Sequence, residues 1–230
     1  MRGRLVALDR WSRRVLAPGL ERAAAALDRP WCSPDRLTVL GLVCGLAGAV
    51  AASRAWWVAA LVLWLASRAA DGLDGPLARR RRSHGARAAG SAGSAGSAAE
   101  PTGEAGGYLD ITADFVAYGS FVVGVAVGWG GSLLPFLAVL LAYYLNGSFF
   151  LAFSSIAERT GHRIDDGRSL SFLGGLAEGT ETVVVHALWC LVPQAAGPVA
   201  WVWAGVVLVS ATQRFVGGYR QLRTPAGAGP

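Results

Sequence analysis

Apolar residues along this chain gather into long, nearly unbroken runs, not the strict alternation of strands or the one-sided stripes of water-soluble helices. Six runs stand out: Leu37 to Ser53, Trp56 to Ala70, Tyr108 to Gly128, Leu133 to Ile156, Leu176 to Val192 and Val199 to Val216. Each approaches the roughly 20 residues a helix needs to cross a bilayer, and the first two reach that length if helix continues into their polar flanks. The pattern predicts an all-α integral membrane fold of six transmembrane helices. Ahead of them, Leu5, Val6, Leu8, Trp11, Val15 and Leu16 interleave with arginines, as in an amphipathic helix lying in the membrane interface, interrupted at Pro18-Gly19. The expected organisation is an interfacial segment over 1–33, a six-span domain over 34–220 and a tail over 221–230. Pro34, Leu37 and Thr38 mark the start of the first span, with proline setting the turn.

Composition agrees: 53% of the 230 residues are hydrophobic, 16% are charged and the mean hydropathy is +0.41. The 21 basic residues are all arginine, giving a net charge of +6 that does not titrate away. Nucleic acid is excluded as a partner, because no soluble basic domain exists to hold it. The arginines instead follow topology. They crowd before the first span, after the second (Arg79 to Arg82, Arg87), after the fourth (Arg159, Arg163, Arg168) and at the C-terminal end (Arg214, Arg220, Arg223). The positive-inside rule then puts both termini in the cytoplasm, in a bacterial cytoplasmic membrane. A cleaved signal peptide is the competing reading of the front end, but 36 residues precede the first apolar run. Cys32, Cys44 and Cys190 form no ligand-spaced set and read as buried thiols. Residues 88–99 are a low-complexity Ala/Gly/Ser tract, so 80–105 is expected to be a flexible cytoplasmic loop.

Four carboxylates sit where carboxylates are costly. Asp71 and Asp74 close the second span, and Asp110 and Asp114 open the third. On a helix, Asp71, Asp74, Gly75 and Ala78 share one face, and Gly106, Asp110 and Asp114 share another if that helix starts early enough. Two consecutive helices can therefore pool their acids, which repel one another unless protonated or neutralised by cations. Oxygen-only ligation without nearby His or Cys favours Mg²⁺ or Mn²⁺ over Zn²⁺. Arg79 lies one turn beyond Gly75, where its fork can clamp a phosphate. The plainer alternative is that the acids pair with the Arg79 to Arg82 run.

Taken together, Asp71-Gly72-Leu73-Asp74-Gly75-Pro76-Leu77-Ala78-Arg79 and Gly106-Gly107-Tyr108-Leu109-Asp110-Ile111-Thr112-Ala113-Asp114 resemble the signature of the CDP-alcohol phosphotransferases, D-x-x-D-G-x-x-A-R followed by G-x-x-x-D-x-x-x-D, at all eight specified positions. The resemblance implies a homodimeric membrane enzyme, open to the cytoplasm, that transfers a phosphatidyl-type group from CDP-diacylglycerol or a similar donor to a small alcohol, releasing CMP in phospholipid biosynthesis. It implies two metal ions, with Asp71, Asp74 and Asp110 as principal ligands. Asp114 would be a further ligand or the base for the acceptor hydroxyl, and Asp71, Asp74, Gly75, Ala78, Arg79 and Gly106 would line the CDP pocket. One departure is the 26 residues between the half-motifs, Arg80 to Ala105. The family usually places about eight there, a difference that costs only about 1 kcal/mol of loop entropy.

The acceptor side carries weaker signals. Arg159, Arg163 and Arg168 are placed to hold an anionic alcohol, although topology alone accounts for them, and Glu178 and Glu181 lie one turn apart in the fifth span. His162 reads as a solvated loop residue and His186 as a packing residue on an apolar helix. Two other functions fit the same acids: a divalent-cation transporter, and a non-catalytic membrane scaffold of the same fold.

Overall fold

The structure is a computed structural model that describes residues 7–29, 31–91, 102–160 and 179–223, in which the regular structure is helical throughout. In chain order the helices are α1 (Ala7–Leu27), α2 (Pro34–Ser53), α3 (Trp57–Ser91), α4 (Thr102–Trp129), α5 (Leu134–Thr160), α6 (Gly179–Leu191) and α7 (Ala196–Leu222), with a 3-10 turn, Pro193–Ala195, before the last. Among the described residues, four stretches are long and apolar enough to cross a membrane: Pro34–Ser53, Ala105–Trp129, Leu134–Thr160 and Pro193–Leu222. The second expected span falls short of that criterion for a local reason. Eighteen residues counted from Trp57 end at Asp74 and take in Arg68, Asp71 and Asp74, so the acids of interest themselves lower its apolarity. The fifth expected span lies partly outside the described residues, which resume at Gly179.

Two further expectations change. Pro18 and Gly19 do not end α1, which runs through both: the proline costs the helix a hydrogen bond and crowds the preceding turn, but its φ is compatible with the helix and the helix continues on either side. Helix α3 does not stop at Arg79 either. It continues through Arg80 to Ser91, since arginine and alanine are good helix formers, so the first part of the expected 80–105 loop is helical and 92–101 lie outside the described residues.

The chain divides into two compact regions, Trp11–Gly128 and, apart from its first residues, Trp129–Pro230. In the first, Ser33 caps α2 by accepting from the Arg36 amide at 3.2 Å, with Pro34 opening the helix and Asp35 in its first turn. At the other end Ala55 takes a left-handed φ of 56°, and the Trp56 amide bonds back to the Ala51 carbonyl at 2.9 Å. This tight reversal makes α2 and α3 antiparallel neighbours.

Small residues line the inside. The buried positions of α2 include Thr38, Gly41, Gly45, Gly48, Ala49 and Ala52, whereas Leu40, Val43 and Val50 face outward. A soluble helix would bury the large side chains; this inversion suits a bundle whose solvent is lipid and whose backbones approach closely. Gly124 and Gly128 of α4 show how closely: a Cβ on either would collide with the backbone of Ala49 or Ala52. Trp64 of α3 fills the centre against Phe121 and Tyr118 of α4, with ring centroids 4.6 and 5.2 Å apart. Ala24, Cys32, Leu37 and Leu77, flanked by Leu27 and Leu73, tie the end of α1 to α2 and α3.

The second region holds α5, α6 and α7 around an aromatic core. Phe136 meets Trp129 and Trp189 edge-on at 5.7 and 5.6 Å, and His186 stacks on Trp189 at 4.8 Å. The Trp203 indole donates to the Tyr143 hydroxyl at 2.7 Å, and that hydroxyl lies 3.0 Å from His186 Nε2. The tautomer of His186 sets which of the two groups donates across that contact. His186, fully buried, is thus the hydrogen-bonded packing residue expected.

Candidate functional site

Antiparallel α2 and α3 bring the start of one helix level with the far part of the other, which is why residues 36 positions apart meet: Thr38 Oγ1 donates to Asp74 Oδ2 at 2.6 Å. Gly41, one turn further along α2, lets that helix close on α3; a Cβ there would stand 3.2 Å from the Ser67 carbonyl. Helix α4 begins on the same side. It starts at Thr102, so Gly106 lies inside the helix, with Asp35 Oδ1 3.3 Å from where its Cβ would be.

Asp71 and Asp74 from α3 and Asp110 from α4 each offer a carboxylate oxygen, and these atoms lie within 4.8 Å of one another. Opposite oxygens on an octahedral Mg²⁺ are about 4.2 Å apart, so a slight turn of the side chains fits the trio to such an ion. Asp74 is nearly buried and oriented through one oxygen by Thr38, the kind of outer support that fixes metal-binding carboxylates.

Asp114 has a different partner. Its Oδ1 accepts from Arg68 Nη1 at 2.6 Å, and the same guanidinium nitrogen stands 3.7 Å from Asp71 Oδ2. Arg68 is further held by Ser67 Oγ, which accepts from Nη2 at 2.9 Å, and by the rings of Trp64 and Tyr118, whose centroids lie 5.0 and 4.7 Å from its Cζ. The sequence reading passed over Arg68. An arginine inside an apolar run, three residues before an aspartate, was the available signal.

The remaining motif positions surround this cluster. Arg79 folds back over the turn before it, with Nη1 3.4 Å from where a Gly75 Cβ would sit, and Ala78 is partly buried beside it. Leu20 of α1 reaches to 3.8 Å from the Cβ position of Gly72, so α1 lies against the motif. The next arginines turn to a residue the sequence reading did not single out. Arg80 and Arg81 pair with Asp28 at 3.1 and 3.2 Å, and Arg81 also donates to the carbonyls of Arg29 and Cys32. The Arg81 hydrogen bond, with that of Arg80, holds the Asp28 carboxyl below its ordinary value of 3.8.

Of the expected acceptor residues, Arg159 is exposed in the last turn of α5 and Glu181 lies in the first turn of α6. Arg163, Arg168 and Glu178 lie outside the described residues, as does His162. The cysteines are free thiols; Cys32 and Cys190 are buried as expected, whereas Cys44 is only partly so.

The chain is similar to known proteins. The family model for CDP-alcohol phosphatidyltransferase matches residues 31–86. Inner membrane protein YnjF of Escherichia coli (strain K12) is 34% identical over 234 residues, covering 90% of this chain and 99% of that protein. Among solved structures, Mycobacterium tuberculosis phosphatidylinositol phosphate synthase (PgsA1) with CDP-DAG bound superposes with a TM-score of 0.62 at 20% identity, covering 87% of this chain and 93% of that one. The same synthase in complex with manganese and citrate gives 0.63, also at 20% identity, over 87% and 88%. With its apolar helices and its inner-membrane relative, the protein is a membrane protein, and it belongs to the CDP-alcohol phosphatidyltransferase family.

Proposed function

We propose that this chain transfers a phosphatidyl-type group from a CDP-linked lipid such as CDP-diacylglycerol to the hydroxyl of a small alcohol, releasing CMP, with Mg²⁺ or Mn²⁺ held by its aspartates. The observation that carries the reading is the convergence of Asp71, Asp74 and Asp110 from two helices onto one point. Family membership supports it, as do fold relatives that hold CDP-DAG in one case and manganese in another. The full bundle in this reading has six spans behind an interfacial α1, forms a homodimer, keeps both termini in the cytoplasm and opens its site to that side.

The reaction breaks the bond between the lipid-side phosphorus and the CMP oxygen and forms one from that phosphorus to the acceptor oxygen. A bound divalent ion supplies positive charge where negative charge grows on the departing phosphate. The chain's own groups do the rest. Gly75, Ala78 and Gly106 leave room for the nucleotide, and Arg79 binds the diphosphate through its planar fork. Asp114, with one oxygen held by Arg68, has its second oxygen for the acceptor's proton. Arg159, Arg163, Arg168, Glu178 and Glu181 are the proposed acceptor contacts.

The test is CMP release from CDP-diacylglycerol by purified protein with Mg²⁺ or Mn²⁺, screened across polyol phosphates, polyols and serine. Release with at least one acceptor, lost in Asp114→Asn, is the expected result. Metal flux into proteoliposomes without nucleotide would instead indicate a transporter, and CDP binding without turnover a scaffold.

A further inference from the structure

The elbow between α1 and α2 is held by arginine side chains. Arg81 of α3 bonds Asp28 Oδ1 through Nε at 3.2 Å, and its Nη2 donates to the carbonyls of Arg29 and Cys32, each at 2.8 Å. Arg36 of α2 donates to the carbonyl between them, that of Trp31. Carbonyls at and beyond a helix end lack helical partners, so the side chain that takes them fixes the path of the chain there. Arg81 is placed for this because it continues the Leu73–Leu77 face of α3 by one turn. Leu77 on that face is fully buried in a cluster with Ala24, Cys32 and Leu37, the residues on either side of the elbow.

The elbow in turn sets how α1 and α2 meet the two halves of the motif. On the α1 side, Leu20 stands 3.8 Å from the Cβ position of Gly72; on the α2 side, Asp35 Oδ1 stands 3.3 Å from that of Gly106. A charge required by topology or drawn to lipid headgroups needs no particular shape. Arg81 instead spreads one guanidinium over three acceptors, a geometry an ammonium does not reproduce.

Resting on the transferase reading above, we propose that Arg81 is a positioning residue for the CDP-linked donor. By fastening the α1–α2 elbow to α3, it sets Leu20 and Asp35 against the glycines of the two half-motifs and so shapes the walls of the nucleotide pocket, without touching the donor itself. Arg80, which bonds Asp28 through Nε at 3.1 Å, supports the same elbow more weakly.

The experiment exploits lysine, which keeps the charge and loses the fork. Full-length Arg81→Lys and Arg80→Lys are compared with wild type in detergent with Mg²⁺. Arg81→Lys should raise the KM for CDP-diacylglycerol about 10-fold, the scale of one charge-assisted hydrogen bond, with kcat within about twofold. Arg80→Lys should leave both constants within about twofold. Hydrogen exchange at the Arg29 and Cys32 amides, which bond the Leu27 and Arg29 carbonyls at 2.7 and 3.0 Å, should rise about 10-fold in Arg81→Lys alone. Equal behaviour of the two lysine variants, as topological or headgroup charge would give, overturns the proposal, and so does a fall in kcat at unchanged KM. Should Arg81→Lys fail to fold, Asp28→Asn decides. It removes one of the three acceptors, so the donor KM should rise about two- to fivefold, and no rise overturns the proposal. Calorimetry with CDP separates this inference from the activity. No CMP release by wild type with any acceptor, together with CDP affinity about 10-fold weaker in Arg81→Lys, sinks the transferase reading and leaves the positioning role standing. CMP release with an unchanged donor KM in Arg81→Lys does the reverse.

Discussion

The Trp11–Gly128 and Trp129–Pro230 regions both bury polar groups inside apolar helices, and they satisfy them in opposite ways. In the second, Trp203, Tyr143 and His186 form a hydrogen-bonded chain of aromatic side chains, with His186 stacked on Trp189. In the first, four carboxylates face one arginine, with a threonine hydroxyl steering Asp74. Aromatic donors and acceptors that hydrogen-bond one another stabilise the helices that carry them. An excess of like charge cannot be completed from within and calls for a cation from outside. The contrast favours the first region as the functional site: a cluster of like charges is where a bundle like this one has most to gain from a ligand.

That contrast can be broken by substitution. The largest effect is expected at Asp110→Asn, which removes an oxygen pointing into the acid trio. CMP release should fall by about 10²–10⁴-fold, as when a catalytic group is lost, with the melting temperature unchanged or raised by relief of repulsion. A fall in stability matched to the loss of activity would make Asp110 a structural residue. Next comes Thr38→Val, which keeps shape and deletes the hydroxyl that orients Asp74. The Mn²⁺ concentration for half-maximal activity should rise about 10-fold or more, with little change in saturated rate.

In the other region Tyr143→Phe removes the hydroxyl shared by Trp203 and His186. The prediction is the mirror image: about 1–3 kcal/mol of stability lost in a denaturation experiment, with CMP release per folded molecule unchanged. A selective loss of activity would erase the distinction between the regions. The smallest effect concerns the clasp of Asp28 on Arg80 and Arg81. Because the folded carboxyl titrates below its ordinary value of 3.8, the clasp's contribution is fully present above that value and is lost as pH falls through the lowered one. Asp28→Asn should mimic the acid state at neutral pH, raising hydrogen exchange in the 80–91 part of α3 a few-fold, as expected for an exposed ion pair.

Much of this was legible in the chain. The long apolar runs announce helices of membrane length, and the Asp71–Arg79 and Gly106–Asp114 motifs place acids at helical spacing, because period and hydrophobicity are local properties. Local reading failed at Pro18-Gly19, where helix continues, and after Arg79, where α3 runs on to Ser91. In both places a helix-breaking pair or a low-complexity flank was outweighed by surrounding helix formers and contacts. Such signals are priors that packing overrides.

Residue types and spacings by themselves identified a helical membrane protein of the CDP-alcohol phosphatidyltransferase family and singled out four aspartates as its candidate site. Tertiary structure alone decided their partners: Thr38 on Asp74, Arg68 on Asp114 and Arg80 and Arg81 on Asp28, across separations of 36, 46, 52 and 53 residues. The reason is that partnership between helices depends on how closely their backbones approach and how they are rotated. Gly41 against Ser67, and Gly124 and Gly128 against Ala49 and Ala52, set that approach through contacts no single segment contains.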